Sequence, residues 1–473
     1  MIRRHHPVLL AALVLSACAV GPKYTPPAAS IDEHWIAPAD TAAIDLTWWH
    51  AFGDPVLDEL IASAVAHNLD LKAADANLRA ARASRDAAAG RRYPELDVNA
   101  SATRNGWSEH GPIPVSKIPG FQRDYNLFQA SFDASWEIDL WGHNARAVEA
   151  AEARAEGAAE LRRDTLMRVI AEVARSYVDL RSAQAQLESG RADAEARTQV
   201  AELVSQRYAK GEASRFDFVR ADAQARSARA LLPGFDADTH AAAYRLAFLT
   251  GAPPEALAAK LLAAAPLPEG PGAVTAGLRS DLLRRRPDVR QAERQLAAAT
   301  ADAGVATAEL FPRISLVGSI GQQAQNTSDF AASSSTYYSI GPSLHWPIFA
   351  GGTLRANVRA ANARADAAGA AYESAVLTAL SDSETAVNRL AAARAASEER
   401  ENVRRQNESA LALARQRYRA GEDDLIVLLD SQSDYSAAEQ LSIVARTAVL
   451  DAAIALYKSL GGGWESFEPT AAR

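Results

Sequence analysis

From Phe128 onward the chain alternates. Phe128, Ala130, Phe132, Ala134, Trp136 and Ile138 are apolar or small, and Gln129, Ser131, Asp133, Ser135, Glu137 and Asp139 fall between them. Period-two patterning over that length predicts a strand with one apolar and one polar face. Leu96, Val98, Ala100 and Ala102, set against Glu95, Asp97, Asn99 and Ser101, predict its partner. The stretch 104–124 between them, rich in Gly, Pro and polar residues, reads as a surface loop. The pattern returns more weakly at Ile314, Leu316, Gly318 and Ile320, then at Tyr338, Ile340, Pro342, Leu344 and Trp346. Four strands are expected, at about 94–103, 127–139, 312–322 and 337–349.

After each strand pair the period changes. No proline occurs from Gly142 to Tyr208, a stretch of about 100 Å as helix. Within it Leu166, Ile170, Val173, Tyr177, Leu180 and Leu187 follow a heptad-like spacing, the pattern for supercoiled packing. Val376, Leu380, Val387 and Leu390 do the same in a second stretch from about Thr353 to Tyr418. Shorter mates run from Phe216 to Leu249 and from Leu425 to Leu460. Gly142 and Gly351-Gly352 mark strand-to-helix junctions, and Gly211 and Gly421 mark helix–helix turns. Ser280 and Pro287 read as a helix cap and a first-turn proline. Asp423 and Asp424 read as first-turn helix residues, favoured by the dipole.

The two halves are copies. Asp70 matches Asp288 and Pro94 matches Pro312, an offset of 218 in each case (288 − 70, 312 − 94). Gln206-Arg207-Tyr208 matches Gln416-Arg417-Tyr418 at an offset of 210 (416 − 206). Landmarks keep their order, so one unit of helix, strand, strand, long helix, helix is present twice. The first copy is assigned to 52–279, with 251–279 as a linker, and the second to 280–473. Helices occupy about 142–250 and 352–460.

The N-terminus adds a location. Arg3 and Arg4 precede an apolar run, Val8 to Leu15, that is too short to span a bilayer. Residues 1–17 therefore read as a secretory signal. It ends at Leu15-Ser16-Ala17-Cys18, which resembles a bacterial lipobox and implies that Cys18 carries a covalent lipid anchor. Ala19 rather than Asp after the cysteine implies passage to the outer membrane. Residues 18–51 then form an extended, lipidated arm.

Four strands in lipid cannot close a barrel, and each unpaired backbone group there costs several kcal/mol. Two copies would supply eight strands, a barrel filled by its own side chains, and three would supply twelve. A transport function would favour three. Alternation alone fits a half-buried soluble sheet equally well.

Composition removes other classes. Cys18 is the only cysteine of 473 residues, which excludes disulfides and cysteine-rich metal sites within the chain. A net charge of -8 offers no basic surface for nucleic acid. No phosphate-binding loop, metal-binding histidine pair or nucleophile elbow occurs, so no enzyme and no cofactor beyond the Cys18 lipid are expected. The competing architecture is a lipid-anchored periplasmic coiled-coil scaffold or adaptor.

Phe52-Gly53-Asp54-Pro55-Val56-Leu57, Asp281 to Val289, Phe311-Pro312 and Pro347-Ile348-Phe349-Ala350-Gly351-Gly352 together resemble the TolC-like outer membrane factors, in particular the NodT-type efflux lipoproteins. The resemblance implies a homotrimer with a 12-strand transmembrane β-barrel, a long α-helical barrel and a mixed equatorial domain. It implies a passive export duct that docks to a periplasmic adaptor and an inner-membrane pump. It implies that the tips at Tyr208, Gly211, Tyr418 and Gly421 touch the adaptor. It also implies a periplasmic gate made by a hydrophobic ring at Ile426 and an aspartate ring at Asp430. Three such carboxylates around one axis repel one another. Ser433 stands where some relatives carry an arginine, which leaves Asp430 without that closing ion pair.

Overall fold

The computed structural model describes residues 19–27, 32, 34–36, 42–112 and 118–468. The signal segment and Cys18 lie outside them.

A 3-10 turn at Trp48–Phe52 leads into α1 (Pro55–His67) and α2 (Leu69–Gly90). Then come β1 (Glu95–Gly106), β2 (Asp124–Ile138), α3 (His143–Ala209) and α4 (Arg215–Leu249). A short α5 (Pro254–Leu261) and α6 (Leu282–Arg285) precede α7 (Pro287–Ala308), β3 (Arg313–Ala324) and β4 (Thr336–His345). Two further helices, α8 (Thr353–Ala420) and α9 (Leu425–Ser459), close the second copy.

Chain contacts divide the molecule into two compact units. The first gathers the chain up to Pro27 with Arg79–Gly157 and Ala292–Tyr372; the second gathers Ala28–Leu78, Ala158–Gln291 and Glu373–Arg473.

The first unit holds the sheet, fully antiparallel in the order β1-β2-β3-β4. Its register stacks like with like. Val98, Phe132, Ile320 and Tyr338 form one row across all four strands, and Asp97, Asp133, Ser319 and Ser339 form the neighbouring row. Because side chains alternate along each strand, one face is apolar and the other polar. A soluble sheet would cover its apolar face. Here Val98 is 68%, Tyr338 78% and Ile340 75% exposed. That exposure belongs to a surface made for hydrocarbon.

Both hairpins are built alike. Glu95 faces Ser135 and Arg313 faces His345, so the duplication carries β1 onto β3 with an offset of 218 (313 − 95) and β2 onto β4 with 210 (345 − 135). Each is tied down by an indole: Trp136 Nε1 donates to the Arg92 carbonyl at 3.0 Å, and Trp346 Nε1 to the Leu310 carbonyl at 3.2 Å.

In the second unit the heptad positions Leu166, Ile170, Val173, Tyr177 and Leu180 are all buried, with Leu57, Ile61, Leu246 and Leu456 in the same cluster. α3 and α4 approach closely where the sequence allows it. A Cβ on Gly190 would come within 3.1 Å of the Phe235 ring, so any larger residue there would need that ring to give by a few tenths of an ångström.

Four expectations change. Trp48 and Trp49 are not part of an extended arm: they lie in the second unit's core, with Trp48 stacked on Tyr457 at 5.1 Å, because two indoles bury a large apolar area there. β4 ends at His345, short of residue 349, since Pro347 has no N–H to continue the ladder. Ser280 sits inside a 3-10 turn, Arg279–Asp281, and caps nothing; Pro287 does open α7. The 251–279 linker contains helix α5, started by Pro254 at its first position.

One buried charge opposes this packing. Burial, and then the nearby Asp179 carboxylate, push the Asp451 carboxyl up to about 6, and Asp451 Oδ1 has no hydrogen-bond partner. A carboxyl raised in the fold is ionised at a penalty once pH exceeds its unfolded pKa. The destabilisation therefore grows from about pH 4 to about pH 6 and is constant above. Asp451→Asn is expected to raise the thermal midpoint at pH 7.5 and to leave it unchanged at pH 4, as read by a thermal scan of the detergent-solubilised protein at both pH values. On the sheet, Ile340→Arg is expected to destabilise by about 2–4 kcal/mol if lipid covers that face, and Ser339→Arg by much less. Equal amounts of both folded variants in isolated outer membranes would show that water, not lipid, meets the apolar face.

Candidate functional site

Both long helices end in the same turn, within the second unit. α3 stops at Ala209 and α8 at Ala420, and Gly211 and Gly421 each adopt φ +76. The Gly211 N–H donates to the Tyr208 carbonyl at 2.9 Å and the Glu212 N–H to Arg207 at 2.9 Å. Gly421 donates to Tyr418 at 3.2 Å and Glu422 to Arg417 at 3.0 Å. Paired bonds of this kind close a helix around a left-handed residue, which glycine adopts without strain.

The tyrosines pin these turns. Tyr208 stacks on Phe218 at 5.4 Å. The Arg207 guanidinium lies over the Tyr418 ring at 5.4 Å and donates to its hydroxyl at 3.1 Å, joining one tip to the other. Beneath them Val204, Ala221, Leu411, Leu425, Leu428 and Leu429 form a small core.

The following helices restart differently. Ser214 caps α4 in a reciprocal pair with Asp217. Asp424 is the cap residue of α9 and its side chain makes no capping bond. Asp423 and Asp424 thus precede the first turn instead of lying in it. The Arg417 fork holds Asp423 at 2.7 and 2.9 Å, and this hydrogen bonding keeps its carboxyl below the usual range.

Ile426 and Asp430 stand one turn apart on the same exposed side of α9, while Leu425, Leu428 and Leu429 point into the core. Asp430 is not alone. Its Oδ1 accepts from the Arg220 guanidinium of α4 at 2.9 Å. Sequence reasoning missed Arg220, although the duplication contains the signal. Arg220 is the copy of Asp430 (430 − 220 = 210), and Phe216 is the copy of Ile426 (426 − 216 = 210). One copy therefore presents an aromatic and a cation where the other presents an aliphatic and an anion. Ser433, in the place expected for an arginine, accepts from Arg197 at 3.1 Å.

Arg197 belongs to a polar network behind this face. Its Nε donates to Asp193 at 2.8 Å, and Asp193 also accepts from Gln432 at 2.9 Å. Gln432 in turn accepts from Arg415 at 2.7 Å, and Arg197 reaches Gln224 at 3.2 Å. Side chains of α3, α4, α8 and α9 are thereby linked. Among the described residues no group of His, Cys, Asp and Glu is arranged to hold a metal ion. A wall of paired charges and hydroxyls can guide or block solutes.

A family model described as "Outer membrane efflux protein" matches residues 60–252 and 278–462. The chain is 32% identical over 464 residues to the pyoverdine export outer membrane protein OpmQ of Pseudomonas aeruginosa, covering 97% of each chain. It is 32% identical over 430 residues to nodulation protein T of Rhizobium leguminosarum, covering 90% of each. The solved outer-membrane channel OprN matches with a TM-score of 0.87 and 36% identity, over 95% of this chain and 100% of that one.

The Arg197–Asp193 pair is nearly buried, at 11% and 12% exposure. Removing one member leaves the other charge uncompensated. Arg197→Met is expected to destabilise by about 3 kcal/mol, and Arg197→Met with Asp193→Leu by less, measured as thermal midpoints. A double variant as damaged as the sum of both singles would mean the two charges act independently.

Proposed function

Because the chain belongs to the outer membrane efflux protein family, we propose that three copies assemble into a passive export duct, gated at Ile426 and Asp430 and anchored by lipid on Cys18. The protein is an outer-membrane channel component of efflux, extending into the periplasm. The proposed assembly joins a periplasmic adaptor at Tyr208, Gly211, Tyr418 and Gly421 and, through it, an inner-membrane pump. It carries out no chemistry of its own. The exposed apolar sheet face carries this reading, since a periplasmic scaffold has no use for it.

The gate acts by apposition. Ile426 from each copy narrows the passage with apolar surface that ions and water avoid, and Asp430 sits one helical turn away. Arg220 ties Asp430 to α4, so opening that separates α4 from α9 must first break this pair. Exposed pairs contribute up to about 1 kcal/mol each, enough to bias a closed state without locking it.

Asp430→Ala and Arg220→Ala are each expected to raise the mean open time and conductance of single channels in a planar bilayer. The exchanged pair, Arg220→Asp with Asp430→Arg, is expected to return toward the wild-type trace. Unchanged traces in both single variants would place the gate elsewhere.

A further inference from the structure

Within the second unit, α3, α4, α8 and α9 contain only three glycines or prolines: Gly190, Pro233 and Gly234. A glycine in mid-helix weakens the backbone, and a proline removes one ladder hydrogen bond and crowds the preceding turn. α4 nonetheless continues through Pro233 as one helix, Arg215–Leu249. The Arg229 carbonyl thereby loses the donor four residues on. The three residues meet at one level. A Cβ on Gly190 of α3 would come within 3.1 Å of the Phe235 ring and 3.2 Å of Leu232 Cδ2, the side chains that flank Pro233 and Gly234. Both arms of the first hairpin are therefore weakest at the same height. The second hairpin is built otherwise. At the offset of 210, Gly190 becomes Arg400 (190 + 210), Pro233 becomes Ile443 (233 + 210) and Gly234 becomes Val444 (234 + 210).

The packing changes at this level too. The large buried cluster reaches Leu180 in α3 and Ala243 in α4, and the small one takes up at Val204 and Ala221. Ser189 donates to Glu439 at 3.0 Å and Gln440 to the Gln186 carbonyl at 3.2 Å, which ties the level itself to α9. We propose that Gly190, Pro233 and Gly234 form a hinge, on which the distal part of the first hairpin, residues 191–232, tilts while the second hairpin stays stiff. This rests on the gate reading and names the moving part. Arg220 lies 13 residues (233 − 220), or about 20 Å, from Pro233 along α4. A tilt of about 10° moves it by about 3.5 Å, enough to part the 2.9 Å pair with Asp430. Phe216 and the tip at Tyr208 and Gly211 travel with it, and the hydrogen bond from Arg207 to Tyr418 must open or re-form.

The test uses the full chain. Pro233→Ala with Gly234→Ala removes the weak point by changes that favour helix, so the thermal midpoint is expected to equal or exceed that of the unaltered protein. In a planar bilayer this variant is expected to lengthen single-channel closed times at least about tenfold. Asp430→Ala is recorded beside it. Unaltered closed times in the stiffened variant, with Asp430→Ala still opening the channel, overturn the hinge and leave the gate standing. Unchanged traces in Asp430→Ala and Arg220→Ala overturn the gate reading and the hinge's part in it. Amide hydrogen exchange of the unaltered protein supplies a readout that needs no channel. Amides at 231–237 are expected to exchange at least about tenfold faster than their copies at 441–447. Equal protection of the two segments overturns the hinge whatever the traces show.

Discussion

Backbone hydrogen bonding is the constraint on which the rest depends. A strand in lipid has no water to satisfy its N–H and C=O groups, so every edge must find another strand. Among the described residues there are four strands and two open edges. Everything distinctive about the sheet follows from that shortage. Its outer face is apolar and uncovered because it has no helix to meet. Its strands have 10 to 15 residues, long enough to cross hydrocarbon at a tilt. Its central apolar row, Val98, Phe132, Ile320 and Tyr338, runs unbroken from β1 to β4.

The helices solve a different problem. A helix satisfies its own backbone, so α3 and α8 can extend 67 and 68 residues without partners at every turn. Their stability comes from buried stripes, Leu166 to Leu180 in one and Val376 to Leu390 in the other. Where the stripes give way near the tips, the small core around Leu428 and Leu429 and the Arg197–Asp193 network take over. Polar links suit this end, because hydrogen-bonded groups can exchange partners when helices shift, whereas a dense apolar core resists.

The strands, the long helices and the duplication were legible in the sequence, since period two, heptad spacing and a constant offset are properties of the chain alone. Gly211 and Gly421 were legible as turns for the same reason. The burial of Trp48 and Trp49 was not, because an aromatic pair outside any periodic segment looks alike in an arm and in a core. Nor was the Arg220–Asp430 pair, which joins residues 210 apart. It could have been found by asking what each proposed gate position becomes in the other copy. Asp423 lies two residues ahead of the helix, held by Arg417, a pairing that local propensity does not register.

The divergence at Arg220 and Asp430 has an electrostatic consequence. Three isolated aspartates around an axis would make a negative throat and draw cations into it. Three Arg220–Asp430 pairs would instead set six charges of alternating sign around the same axis. The potentials of such a ring cancel at its centre and fall away steeply above and below it, faster than screening by salt alone would cause. In the proposed trimer, a solute on the axis would then meet no net field of either sign. Such an aperture sorts by size and wetting, which suits a duct that must pass whatever its pump delivers.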